Sequence, residues 1–212
     1  MPLVIDIETV GQALEEIPGR AVDSLFRELS AGEISEEELE QRRGEIIDRF
    51  GLDPTTGRII CIGLLELQTG EEKAVYGIDE DLLLQSFWEI LDRSHPDLFV
   101  SFNGKRFDFP YINIRSAIRK VVPSMVLLSG SSSGVPHFDV REVLAGEDRR
   151  RRGTLDYFCA VFGIPSPKES LDGDRIGEAF HQGRLAEIAS YCLADCRATA
   201  ALFERLRPFY GC

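Results

Sequence analysis

A chain of 212 residues has the length of one domain, or of one domain with an appendage, and folding can bury roughly 70% of the surface the unfolded chain exposes. With 43% hydrophobic and 28% charged residues, disorder and collagen-like repeats are excluded. The 24 Lys and Arg against 36 Asp and Glu, a net charge of −12, argue against tight nonspecific nucleic-acid binding by phosphate neutralisation, but not against an enzyme that holds phosphate through bound cations.

In chain order, residues 3–8 (LVIDIE) read as a buried strand. Residues 58–67 and 73–78 read as a second and a third, separated by the turn Gln68-Thr69-Gly70. Between the first two strands, 11–55 reads as a mostly acidic helical insertion. It carries a short helix near 20–30 (Val22, Leu25, Phe26, Leu29). Ser35 and Glu38 then form a capping box ahead of a second helix with Leu39, Ile46, Ile47 and Phe50 on its apolar side. Asp79–Arg93 reads as a helix with Leu82, Leu83, Phe87, Ile90 and Leu91 at helical spacing. A strand at 98–103, a glycine turn at Gly104 and a helix after Pro110 follow. Helices are expected at 154–163 and 184–206, and surface loops at 129–134 and 149–152. Three strands followed by helix, strand and helix predict an α/β fold with an antiparallel start and a parallel continuation.

No apolar run reaches the ~18 residues of a membrane span, so no membrane partner is expected. The start MPLVIDIETV has no basic n-region and does not read as a signal peptide. Five cysteines (61, 159, 192, 196 and 212) without a Cys-x-x-Cys argue against a disulfide framework or a zinc ribbon. The chain reads as cytoplasmic, with reduced thiols.

Four acids stand where acids are awkward. Asp6 and Glu8 are two apart in an apolar strand and so share one face with Val4, while Leu3, Ile5 and Ile7 take the other. About one Asp-x-Glu is expected by chance in this length, so the pair alone is also consistent with a strand that has one solvated side. Asp108, in FNGKRFDFP, is bracketed by Phe107 and Phe109 and also reads as a turn residue near a helix N-cap, ahead of Pro110. Asp195 lies on the helical face of Ile188, Cys192, Thr199, Leu202 and Leu206, where an ionised carboxylate is costly unless paired or bound to metal. Tyr191, four residues earlier, meets it on that face. Three sequence-distant groups of carboxylates fit a two-metal phosphodiester hydrolase. Hard cations such as Mg²⁺ take oxygen ligands, and two of them about 3.5–4 Å apart activate a water and stabilise the leaving oxygen.

These residues carry a family resemblance. Asp6-Ile7-Glu8-Thr9, Asn103-Gly104-Lys105-Arg106-Phe107-Asp108 and Tyr191-x-x-x-Asp195 resemble the three motifs of the DEDDy 3′–5′ exonucleases, which share a ribonuclease H-like fold with polymerase proofreading domains. The branch it most resembles is the exonuclease related to family-B proofreading domains, which His137-Phe138-Asp139-Val140 and the stretch from Gly163 through Leu171-Asp172-Gly173 also resemble. The sister subgroup carries a His five residues before its last Asp. That place is Ser190 here, so Tyr191 marks the tyrosine subgroup.

The resemblance implies one ribonuclease H-like exonuclease domain over 1–212, with 11–55 inserted. Asp6, Glu8, Asp108 and Asp195 would bind two divalent cations, Mg²⁺ or Mn²⁺, with Tyr191 orienting the attacking water together with Glu8. Thr9, Asn103 and Phe107 would contact the terminal nucleotide. The expected partners are single-stranded 3′ ends, DNA favoured over RNA, and the expected products are nucleoside 5′-monophosphates. Proofreading in trans for a polymerase, repair and trimming are the roles open to such a chain. The alternatives are an exoribonuclease and a silent nucleic-acid-binding module of the same fold. His137 reads as a structural His near a strand end or as a substrate contact. Cys192 and Cys196, four apart on a helix, have a spacing that could suit a metal, but without a second ligand pair they read as packing residues. Arg149–Arg152 with Lys105, Arg106, Arg115, Arg119 and Lys120 read as a solvated charge run or as phosphate contacts.

Overall fold

In the computed structural model, the structure describes residues 1–27, 35–127, 134–146, 153–166 and 175–211. Five strands, β1 (Pro2–Gly11), β2 (Gly57–Glu66), β3 (Glu72–Tyr76), β4 (Leu98–Ser101) and β5 (His137–Asp139), form one sheet in the order β3-β2-β1-β4-β5. β1 pairs antiparallel with β2, and β2 with β3, whereas β1–β4 and β4–β5 are parallel. The antiparallel start and parallel continuation are therefore present, as a ribonuclease H-like fold requires. β5, three residues long, is too short to leave a periodic signal in the sequence.

Helices cover both faces. On one face, α3 (Glu80–Ser94) and α4 (Asp108–Arg119) pack on Leu3, Ile5 and Ile7 of β1 and on Ile59, Ile62 and Leu64 of β2. On the other, α6 (Leu155–Phe162), α7 (Ile176–His181) and the long α8 (Leu185–Tyr210) pack on Val4, Val10, Cys61 and Leu65. The short α5 (Val140–Ala145) follows β5 directly. Asp79 caps α3 by accepting from the N–H groups of Asp81 and Leu82 at 3.0 and 3.1 Å. Within α3 the buried stripe is Leu83, Leu84, Phe87, Trp88 and Leu91. Leu82, assigned to it by spacing, is 59% exposed.

Parity along β1 places the site. Its face toward α8 reads Val4, Asp6, Glu8, Val10, so the two acids occupy positions that the flanking residues fill with buried valine. The β1–β2 register shifts between Glu8 and Thr9: Glu8 opposes Cys61 and Thr9 opposes Ile59, leaving Ile60 as the extra residue of a bulge. Bulges re-aim side chains locally and recur beside active sites.

The insertion between β1 and β2 contains α1 (Gly19–Phe26) and α2 (Glu36–Ile47), neither of which has a buried residue. Ser35 caps α2 by accepting from the Glu38 N–H at 3.2 Å. Leu39 and Ile46 are half-buried and Ile47 is exposed, so Phe50, in the turn after α2, is the member of the expected apolar side that is buried. Leu29 lies outside the described residues.

The ends of the insertion are held firmly. The Gln12 N–H donates to the Thr56 carbonyl at 2.9 Å. The buried Arg115 of α4 donates to the Pro54 carbonyl at 3.0 Å and to Gln12 Oε1 at 3.4 Å. Its guanidinium also grips Glu80 through two bonds of 2.9 and 2.6 Å, and Glu80 accepts from the Ile59 N–H at 2.7 Å. Arg115 is thus a structural strut, which corrects both of its readings, as a solvated charge and as a phosphate contact. Arg119 is engaged with Asp81 and Glu80.

Candidate active site

Asp6 and Glu8 project toward α8 from the centre of the sheet. α8 reaches them because β2 carries Gly63 opposite Asp6. A Cβ at Gly63 would lie 2.8 Å from Cys192 Sγ, 3.0 Å from Cys196 Sγ and 3.3 Å from the Cys192 carbonyl oxygen. The missing side chain lets the helix settle directly on the strand. Cys192 and Cys196 fill the contact fully buried, in line with their reading as packing residues. One helical turn on the same helix delivers Tyr191 and Asp195, and the charge of Asp195 acts on the Tyr191 hydroxyl.

Asp108 arrives from the opposite side. β1 pairs with β4 only over Pro2–Val4. Further along, the Ile7 N–H donates 3.1 Å to Asp108 Oδ1, at the first turn of α4. The turn from β4 into α4 is compact. Asn103 has φ +71°, and a Cβ on Gly104 would fall 2.4 Å from Ser101 Oγ and 3.3 Å from Asp108 Oδ2. Buried Asp139 holds this turn, accepting from the N–H groups of Asn103 at 2.9 Å, Lys105 at 3.0 Å and Glu142 at 3.2 Å. Ser101 Oγ accepts from the Gly104 N–H at 3.0 Å and lies 2.7 Å from His137 Nε2.

His137 stacks on Phe109 at 4.2 Å, and burial, with Lys105 nearby, pushes its pKa down to about 3. It is neutral and built into the turn, so the structural reading of this residue holds. Asp139 is the positioning residue that motif-reading did not single out, although it stands in the noted run His137-Phe138-Asp139-Val140.

The electrostatics are those of acids pressed together. Burial, then the charge of Asp195, then that of Asp108, raises Asp6 well above the usual carboxylate range, and a bond from the Cys192 thiol partly offsets this. Glu8 is raised by burial, then by Asp195. Asp108 is raised to about 7, chiefly by burial, with Asp139 and Asp195 adding to it and the backbone N–H bonds opposing. Every charged neighbour named in these shifts is itself acidic or a thiol. Tyr191 is pushed far above its ordinary value by burial, then by Asp195, Glu8 and Asp6, which makes it a protonated phenol rather than a base.

A group of carboxylates that press on one another suits hard divalent cations, which neutralise it and take carboxylate ligands. Asp6, Glu8 and Cys192 each place a donor atom within 4.8 Å of the others.

The three residues expected to touch a nucleotide have polar or ring contacts within the protein. The Thr9 hydroxyl donates to the Gly51 carbonyl at 2.6 Å, and Tyr111 donates to the same oxygen at 3.1 Å. Asn103 Oδ1 accepts from Arg141 at 2.6 Å. Phe107 lies 5.3 Å from Tyr111, ring centre to ring centre. Lys105 pairs with Glu142, Arg106 and Lys120 are exposed, and residues 149–152 lie outside the described residues.

Residues 52–212 match the family described as "Predicted 3'-5' exonuclease related to the exonuclease domain of PolB". The chain belongs to this family. The match takes in Asp108, Tyr191 and Asp195; Asp6 and Glu8 precede it, and the sheet brings them to the same place. This exonuclease is 27% identical over 141 residues to a DNA polymerase of Pyrococcus horikoshii, covering 59% of this chain and 11% of that protein. It is 24% identical over 176 residues to DNA polymerase 1 of Pyrococcus abyssi, covering 76% and 21%. It spans roughly a tenth to a fifth of the length of these relatives. The family B DNA polymerase from Pyrobaculum calidifontis has the same fold over 98% of this chain and 24% of that one, at 20% identity and a TM-score of 0.68. Among the described residues no helix is long and apolar enough to cross a membrane.

Proposed function

We propose that this exonuclease removes nucleotides from single-stranded DNA 3′ ends with two divalent cations, Mg²⁺ or Mn²⁺, releasing nucleoside 5′-monophosphates. The observation that carries the reading is the convergence of Asp6, Glu8, Asp108 and Asp195 from three separate elements, where burial and the neighbouring acids raise the pKa of Asp6, Glu8 and Asp108. In this reading these four acids hold the cations. When bound, the cations supply neutralisation of the phosphate and activation of water.

The protein's own groups do the positioning. Asp108 is fixed by the Ile7 N–H, and Asp6 and Glu8 by the strand. The Tyr191 hydroxyl, kept protonated by burial and the neighbouring acids, orients the attacking water together with Glu8 and does not abstract its proton. Thr9, Asn103 and Phe107 receive the terminal nucleotide by exchanging their present protein contacts for it. A single strand is the fitting substrate because a duplex end would have to unpair to reach carboxylates sunk between sheet and helix. DNA is favoured because the relatives are DNA polymerases.

The test is digestion of matched DNA and RNA oligonucleotides, single-stranded and recessed, with Mg²⁺ and with Mn²⁺. Faster release of 5′-monophosphates from single-stranded DNA is expected. Preference for RNA would transfer the reading to an exoribonuclease.

A further inference from the structure

The cluster contains one donor that a hard-cation site does not need. Cys192 Sγ lies 3.4 Å from Asp6 Oδ2 and 3.4 Å from the Asp6 carbonyl oxygen. Cys61, the residue opposite Glu8 on β2, is also a neighbour of this thiol. The Asp6, Glu8 and Cys192 donor atoms all fall within 4.8 Å of one another. A tetrahedral ion with one sulfur at about 2.3 Å and one oxygen at about 2.0 Å sets those two donors about 3.5 Å apart. The Cys192–Asp6 separation already has that value.

We propose that Asp6, Glu8 and Cys192 form a binding site for a thiophilic divalent cation of the Zn²⁺ type, which competes with the hard cations for Asp6 and Glu8 and inhibits the nuclease. The inference builds on the reading of Asp6 and Glu8 as cation ligands. Mg²⁺ and Mn²⁺ take oxygen donors and leave the thiol intact, whereas Zn²⁺ accepts sulfur. On binding, the Cys192 S–H bond breaks, its proton passes to solvent, and the sulfur lone pair forms the bond to the cation; nothing is oxidised or reduced. Such an ion ties Asp6 and Glu8 to the α8 thiol and withholds both from the hard cations.

The experiment titrates the metal-free full chain with Cd²⁺, whose thiolate bonds absorb in the near ultraviolet. Wild type, Cys192→Ser, Cys192→Ala and Glu8→Gln are compared, each checked for folding by circular dichroism. Wild type is expected to develop a band that saturates at about one ion per chain. Both Cys192 variants lose it, Glu8→Gln weakens the affinity about tenfold or more, and Mn²⁺ competes the band away. A band that persists in either folded Cys192 variant, an unchanged affinity in Glu8→Gln, or indifference to Mn²⁺ would overturn the inference. The readout needs no catalysis. Hydrolysis without a Cys192-dependent band refutes this inference alone, whereas a band without hydrolysis supports it and refutes the nuclease reading.

Discussion

Asp108→Asn separates the charge of the site from its shape. Asn retains the Oδ1 that accepts the Ile7 N–H at 3.1 Å and removes the ionisable group. Asp108 titrates at about 7 in the fold against an ordinary 3.8. At 1.36 kcal/mol per unit this is on the order of 4 kcal/mol, shared among the coupled acids. The sign follows from proton counting. Below about pH 4 both folded and unfolded chains hold the proton, so ionisation carries no cost. Between about pH 4 and 7 the folded chain keeps a proton that the unfolded chain has released, so stability falls as pH rises. Above about pH 7 the full cost applies.

Without divalent ions, Asp108→Asn should therefore match wild type near pH 4 and exceed it at pH 8 by about 1–4 kcal/mol. At this chain length each kcal/mol moves the melting temperature by about 2–4 °C. The assay is thermal and urea unfolding of both proteins in chelator across that pH range. Mn²⁺ should stabilise wild type at pH 8 far more than the variant, while the variant loses roughly 10³-fold or more in hydrolysis rate. A variant no more stable than wild type at pH 8, or a difference that does not grow with pH, would refute the electrostatic account.

Tyr191→Phe removes the hydroxyl that the neighbouring acids keep protonated and should lower the single-turnover rate by ~10²–10⁴ with Mn²⁺ affinity nearly unchanged; an unaltered rate would make the residue structural. Glu80→Gln leaves the Arg115 charge buried without its partner and should cost about 3–5 kcal/mol in urea unfolding, with a loss under about 1 kcal/mol contradicting the strut. Replacing residues 18–48 with a short Gly/Ser loop spares Phe50 and the contacts to Pro54 and Gln12. It should leave a folded, metal-dependent nuclease with altered length or strand preference, because the acidic insertion leaves the sheet next to Glu8; identical profiles on a substrate ladder would show that it does not restrict which ends enter.

The carboxylates were legible because each breaks a pattern. Asp6 and Glu8 interrupt a face that begins and ends in valine, and Asp195 sits on a helical stripe whose other members, Ile188, Cys192, Thr199, Leu202 and Leu206, are all buried. What was not legible depends on contacts between distant segments. Gly63 looks like any strand glycine until Cys192 and Cys196 are seen against it. Trp88, rather than Leu82, turns inward in α3, where its indole N–H donates 3.0 Å to Ser116 of α4. Arg115 carried a missed signal: it follows Tyr111 by four residues and Ile112 by three, on the buried side of α4. Its partner, Glu80, is 35 residues away, and no local pattern connects them.

The most direct measurement of the central claim is digestion of a 5′-labelled single-stranded oligonucleotide by wild type and by Asp6→Asn, each in Mn²⁺ and in chelator. The account predicts a ladder that shortens one nucleotide at a time from the 3′ end with wild type and Mn²⁺, and an intact label in the other three reactions. Shortening in chelator, shortening by Asp6→Asn at the wild-type rate, or no shortening with wild type and Mn²⁺ would contradict it.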